Sequence, residues 1–169
     1  MVVADECKVQ QEPNATCRWS QRGDTPVIPV KRDTRNHISI YGGLSLRLKQ
    51  VFTHFCHWQN GAETILFLEV IKRYWMTQTI TKKKILLVWD NASWHKGKLV
   101  KDWLIRNPGV VELMNLPPYH PEFNPQEHVW KTLKQYLARL KRNEQSDFKT
   151  IVKRTRYFLK NRVFDYSFL

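Results

Sequence analysis

Ile85-Leu86-Leu87-Val88-Trp89 is the longest unbroken apolar run in the chain, and Asp90 follows it directly. The run does not alternate polar with apolar residues. A short, unalternating run between helical stretches marks a central parallel strand buried on both faces. The Lys82-Lys83-Lys84 ramp before it reads as solvated. Downstream, Lys96 to Asn107 reads as a helix burying Leu99, Val100, Trp103 and Leu104, stopped by Asn107-Pro108-Gly109. Val110 to Leu116 is a further strand ended by Pro117-Pro118. A long helix over Asn124 to Arg142 and a last one over Asp147 to Lys160 follow. Upstream, Gly61 to Trp75 is helical, with Ile65, Leu68, Ile71 or Lys72, and Trp75 near one stripe. His37 to Tyr41 alternates and runs into Gly42-Gly43. Leu44, Leu46 and Leu48 alternate in turn, and the pattern loosens through Val51, Phe52 and Phe55. These read as antiparallel strands joined by tight turns. Val2 to Lys8 is a first strand interrupted by Asp5 and Glu6. Gln11 to Arg35, with Pro13, Gly23, Pro26 and Pro29, is a loop or irregular hairpin.

Three opening strands followed by alternating strands and helices imply an α/β fold: a mixed five-stranded sheet with helices on both faces. By analogy, the ribonuclease-H-like architecture has this order and acts on nucleic acid. The 169 residues suit one domain. An apolar content of 42% with seven tryptophans excludes a disordered chain. A five-residue apolar run is far too short to span a membrane. The start, Met-Val-Val-Ala-Asp-Glu, has no basic region leading into an apolar one, as a signal peptide would. Three cysteines, Cys7, Cys17 and Cys56, are an odd number without regular spacing, which suits a reducing, cytoplasmic setting. Against 15 acidic residues stand 28 Lys and Arg, a net charge of +13 that favours a polyanionic partner, nucleic acid first.

The scarce acidic residues carry the chemistry. Asp90 stands at the carboxyl end of the central strand, where ligands gather in open α/β sheets. Asp5 lies on the first strand and faces Asp90 if the two strands are parallel neighbours. Glu127 opens the helix that follows the fifth strand. Three convergent carboxylates repel unless a cation neutralises them. Oxygen-only ligands select Mg2+ or Mn2+ over zinc. Two such ions clamp the attacking and leaving oxygens of a phosphodiester. Each acid also has a plainer reading. Glu6 is a rival to Asp5, and strand alternation sends the two side chains to opposite faces, so at most one is a ligand. Asp90-Asn91 also reads as an ordinary turn. Asn124-Pro125-Gln126-Glu127 is a near-ideal helix start, with Glu127 in a capping box or paired with Lys131. On this helix Val129, Trp130, Leu133, Leu137 and Leu140 form the buried stripe, with Glu127 at its edge. Lys131, Lys134 and Lys141 share nearly the azimuth of Glu127, either as a guide for a phosphate backbone or as a solvated face.

Leu87-Val88-Trp89-Asp90-Asn91-Ala92-Ser93-Trp94-His95-Lys96 resembles the second-aspartate motif of insertion-sequence transposases of the mariner-like DDE superfamily. Leu116 to Trp130 resembles that family's third-carboxylate motif almost throughout, and Ala4-Asp5-Glu6 its first. Trp19, Arg22-Gly23 and Pro26 fit the loop after the first strand. The resemblance runs from residue 1 to about 160. It implies a ribonuclease-H-like domain that binds two Mg2+ or Mn2+ ions through catalytic Asp5, Asp90 and Glu127. Such a domain cuts element ends and joins the freed 3′-OH to target DNA. It further implies a homodimer and association with nucleoid DNA. Asn91 reads as orienting the site, His95 as a phosphate contact, a support behind the ligands or a packing residue, and Tyr119 and Pro121 as shaping the loop. Family members usually carry an N-terminal helix-turn-helix. Here the first catalytic strand begins at residue 1 or 2, so residues 1–169 read as a single catalytic domain: a second reading frame partnered by a separate N-terminal DNA-binding polypeptide, a truncated relic or an excised domain. A hydrolytic nuclease and an inactive DNA-binding relic are the alternatives.

Two signals stand apart. His54 and Cys56 share a strand face, with His57 nearby and His37, Cys7 and Cys17 elsewhere, but no second pair has zinc-site spacing. Most tryptophans lie on helical core stripes. Trp94, between Ser93 and His95, is the one placed to contact DNA.

Overall fold

The computed structural model describes residues 1–11, 21–24, 36–77, 83–117, 124–143 and 147–165, with only the backbone for 141–143. Most of the Gln11–Arg35 loop, including Cys17, Trp19 and Pro26, lies outside them. So do Lys82, Pro118 to Phe123 and the side chain of Lys141.

Strands β1 (Val2–Gln10), β2 (His37–Ser45), β3 (Gln50–Cys56), β4 (Ile85–Trp89) and β5 (Val111–Asn115) form one sheet in the order β3-β2-β1-β4-β5. β1–β2 and β2–β3 are antiparallel, while β1–β4 and β4–β5 are parallel. Helix α1 (Gly61–Met76) joins β3 to β4, and α2 (Lys98–Arg106) joins β4 to β5. Helices α3 (Gln126–Asn143) and α4 (Phe148–Asn161) follow. β4 lies between β1 and β5 with Leu87 fully buried, as its uninterrupted apolar run requires.

Alternation along the strands divides the core in two. Val2, Ala4, Leu87 and Trp89 pack with Phe67, Leu68, Ile71, Val100 and Trp103 under α1 and α2. Cys7, Val9, Ile40 and Leu44 pack with Val129, Trp130, Leu133, Ile151 and Leu159 under α3 and α4. Asp5 is in phase with Cys7 and Val9; Glu6 is in phase with Val2 and Ala4. The two acids therefore leave the sheet on opposite sides.

Three expectations need correction. β2 passes straight through Gly42-Gly43 instead of stopping there. A Cβ on Gly42 would lie 2.4 Å from Trp130 Cη2, and one on Gly43 would lie 2.9 Å from Val2 Cγ1. These glycines admit packing partners against the strand. The turn lies after Ser45, with Lys49 at φ 55° and its amide donating to Ser45 O at 2.7 Å, so Leu48 falls in the turn rather than on a strand. Leu99 is 51% exposed. Ser93–His95 forms a separate 3-10 turn, α2 starts only at Lys98, and Val100 and Trp103 carry its buried face. No helix among the described residues is long and apolar enough to cross a membrane.

Candidate active site

β1 and β4 pair only at Val2–Leu87 and Val3–Val88. Carried two places further, that register sets Asp5 level with Asp90, at the point where the recorded pairing has ended. Asn124, buried ahead of α3, donates its side-chain amide to Ala4 O in a long contact of 3.5 Å, and its Oδ1 accepts from Gln126 N at 3.0 Å. The start of α3, and with it Glu127, is thereby seated against β1 at Ala4.

Asp5 faces α3. Its Oδ2 accepts a hydrogen bond from Trp130 Nε1 at 3.1 Å. The indole reaches the strand because Gly42, the register partner of Asp5, has no side chain. Burial pushes the Asp5 carboxyl up to about 7. A hydrogen bond from the Glu6 backbone opposes the shift, and the charges of Glu127, Glu6 and Asp90 add to it. Cys7, two residues along, is pushed up to about 12 by burial, lowered by Lys134 and raised by Asp5 and Glu127. Asp5, Glu127 and Lys134 thus act on one small region. Glu127 is exposed, and its carboxylate has no hydrogen bond or ion pair among the described residues. It joins neither the capping box nor a pair with Lys131.

Asp90 is half exposed. Its Oδ1 accepts from Ala92 N at 2.9 Å and meets His95 Nδ1 at 2.9 Å. Its Oδ2 has no partner among the described residues. The His95 ring lies parallel to Trp89, 4.2 Å between centroids, and its Nε2 meets Glu6 Oε1 at 2.8 Å. The His95 side chain is 1% exposed and that of Glu6 8%. Burial alone would lower the His95 pKa, but the Glu6 hydrogen bond and the charges of Glu6 and Asp90 outweigh it and raise the value. Both ring nitrogens of His95 are engaged by side chains of the fold. Asn91 is likewise turned inward, its Nδ2 donating to Leu116 O at 2.7 Å, which ties the end of β4 to the exit of β5. Trp94 is half-buried and edge-on to His95, and its Nε1 is buried without a partner among the described residues. Lys131 and Lys134 are exposed and form no ion pair among them.

The charges of Asp90 and Glu127 are felt at Asp5, but among the described residues the donor atoms of Asp5, Asp90 and Glu127 do not all lie within 4.8 Å of one another, whereas those of Glu6, Asp90 and His95 do; the His95 ring is buried and the half-buried Asn91 is tied to the backbone. Sequence reasoning missed two partners. Trp130 lies on the buried stripe of α3 yet serves Asp5, and Glu6 serves His95. The signal for Glu6 was its phase with Val2 and Ala4, since an acid pointed into a core needs a partner. Asp5, Asp90 and Glu127 offer only oxygen, with unpartnered carboxylate oxygens on Asp90 and Glu127, and this donor set fits a hard divalent cation. Away from this site, His54, Cys56 and Glu63 bring donor atoms within 4.8 Å of one another. His54 is bonded to Glu63, and the Cys56 thiol, raised to about 11 by burial, donates to Ser39 O.

The family model for the DDE superfamily endonuclease matches residues 1–151, and the chain belongs to that family. An uncharacterized 39 kDa protein of insertion element IS630 from Shigella sonnei is 25% identical over 155 residues, covering 92% of this chain and 43% of that protein. The chain thus spans less than half the length of this relative. Among solved structures, the Mos1 strand transfer complex aligns with a TM-score of 0.70 at 14% identity, over 95% of this chain and 47% of that one. The Mos1 mariner paired end complex with Mn gives 0.69 at 15% identity, over 95% and 48%. The catalytic domain of Mos1 mariner transposase gives 0.61 at 14% identity, over 95% and 70%. The fold is the ribonuclease-H-like one of these transposase domains.

Proposed function

We propose that residues 1–169 form the catalytic domain of a DNA transposase that cleaves element ends and transfers the 3′-OH strand into target DNA. The observation that carries this reading is the parallel pairing of β1 with β4 at Val2–Leu87 and Val3–Val88, a register that, continued, sets Asp5 level with Asp90. Family membership supports it, as do the solved Mos1 paired end complexes with Mn and with Mg. Asp5, Asp90 and Glu127 would hold two Mg2+ or Mn2+ ions. When bound, these ions supply charge neutralisation at the scissile phosphate and activation of water or a 3′-hydroxyl. The chain's own groups do the rest. The Trp130 indole holds Asp5 in place, and the Asn91 amide fixes the turn that carries Asp90. Lys131 and Lys134 bind the DNA backbone, and Trp94 lies where a contact with DNA is expected. The partners are element ends, target DNA and a second copy of the chain, so the protein works bound to DNA.

The test is nicking of plasmid or element-end DNA. Mg2+ or Mn2+ should support it, and Asp90→Asn should abolish it while leaving DNA binding intact. Equal nicking by the variant would reject the triad. Transfer of a labelled 3′-OH end into plasmid distinguishes a transposase from a nuclease that only hydrolyses.

A further inference from the structure

We propose that Glu6 and His95 are positioning residues, a Glu6–His95–Asp90 chain, buried at its Glu6 and His95 side chains, that sets the orientation of the Asp90 carboxylate for metal binding. The proposal rests on the metal reading above and adds to it the acid that the triad leaves out.

The geometry is that of a support. Glu6 reaches His95 from the α1–α2 side of the sheet, the side opposite Asp5. The Trp89 ring, 4° from parallel, sets the plane of the imidazole. With that plane fixed, Nδ1 meets Asp90 Oδ1 while Nε2 meets Glu6 Oε1. Ala92 N meets the same Asp90 oxygen. Two contacts on Oδ1 restrict rotation of the carboxylate and leave Oδ2 as the oxygen available to a ligand.

The plain alternative is that this chain only stabilises the core. Burial argues against it. Removing charged groups from water is costly, and a buried ionic cluster commonly holds a fold no better than apolar residues of similar volume. Glu6 is 8% exposed at its side chain, beside a cluster built otherwise of Val2, Ala4, Leu87 and Trp89. An apolar residue there would serve packing alone. Outer partners that orient a metal ligand, by contrast, typically govern metal affinity by about 10- to 100-fold.

The experiment measures Mn2+ binding to the purified chain by paramagnetic resonance of the free ion, with thermal melting as the control for folding. Asp90→Asn comes first, because it separates the two claims. If no Mn2+ site depends on Asp90, the metal reading and this proposal both fail. If such a site exists, Glu6→Met and His95→Gln should weaken it by about 10- to 100-fold with melting close to the parent. Glu6→Gln keeps an oxygen acceptor for His95 and should retain most of the affinity. Combining Glu6→Met with His95→Gln should add little to either alone, because both act along one chain. Unchanged Mn2+ affinity in Glu6→Met and His95→Gln overturns the proposal while leaving the metal reading intact. So does a loss in Glu6→Gln equal to that in Glu6→Met, or a loss that follows unfolding across the set.

Discussion

At the scale of single residues, Asp5 carries the clearest acid–base consequence. Its carboxyl is pushed up to about 7 in the folded chain, from an ordinary value of 3.8. Between about pH 4 and 7 the folded state keeps a proton that the unfolded chain has released. Stability is therefore fully present below about 4 and is lost as pH rises through 7. Three pKa units set an upper bound of about 4 kcal/mol, and solvent screening reduces it. Without divalent ions, Asp5→Asn should gain roughly 1–3 kcal/mol at pH 8 and flatten the pH dependence, as urea unfolding across that range will test. A parent chain equally stable at pH 4 and pH 8 would refute the shift. Gly42→Ala makes the opposite prediction. Its methyl group would meet the Trp130 ring and the Gln126 amide, costing roughly 1–3 kcal/mol and pushing the indole from Asp5. Native melting in that variant would show that Trp130 yields without strain. The roles of Asp5 and Glu6 were only partly legible beforehand. Alternation places two adjacent acids on opposite faces, but the choice depends on Trp130 and His95, which stand 125 and 89 residues away.

At the scale of elements, α3 separates an apolar face from a basic one. Val129, Trp130, Leu133 and Leu137 seat it on the sheet. Its exposed Lys131 and Lys134 follow Glu127 along the helix. Replacing both lysines by alanine should weaken DNA binding and lower the slope of log affinity against log salt by about two units, measured by filter binding. An unchanged slope would make the lysines a solvated face. The element order was legible throughout, and β4 was bounded to the residue, because an uninterrupted apolar run admits little else. Two boundaries were not. Gly42-Gly43 has the composition of a turn, and its use for close packing depends on Trp130 and Val2, which local sequence does not bring near. Leu99 fits a helical stripe begun at Lys96. Once the 3-10 turn takes Ser93 to His95, the stripe rotates and Leu99 faces outward.

At the scale of the whole molecule, acids meet in a chain of net charge +13, so the surroundings attract the polyanion that the site itself would repel. Saturating Mn2+ should raise the melting temperature, by about 2.7 kcal/mol of stabilisation at a hundredfold excess over Kd, and Glu127→Gln should remove most of the gain. An identical rise in that variant would place the ion elsewhere. The pairing of β1 with β4, two rungs long, carries one more consequence. Where function is no longer selected, valines at positions 5 and 90 would let the seam zip further and remove two mutually repelling acids.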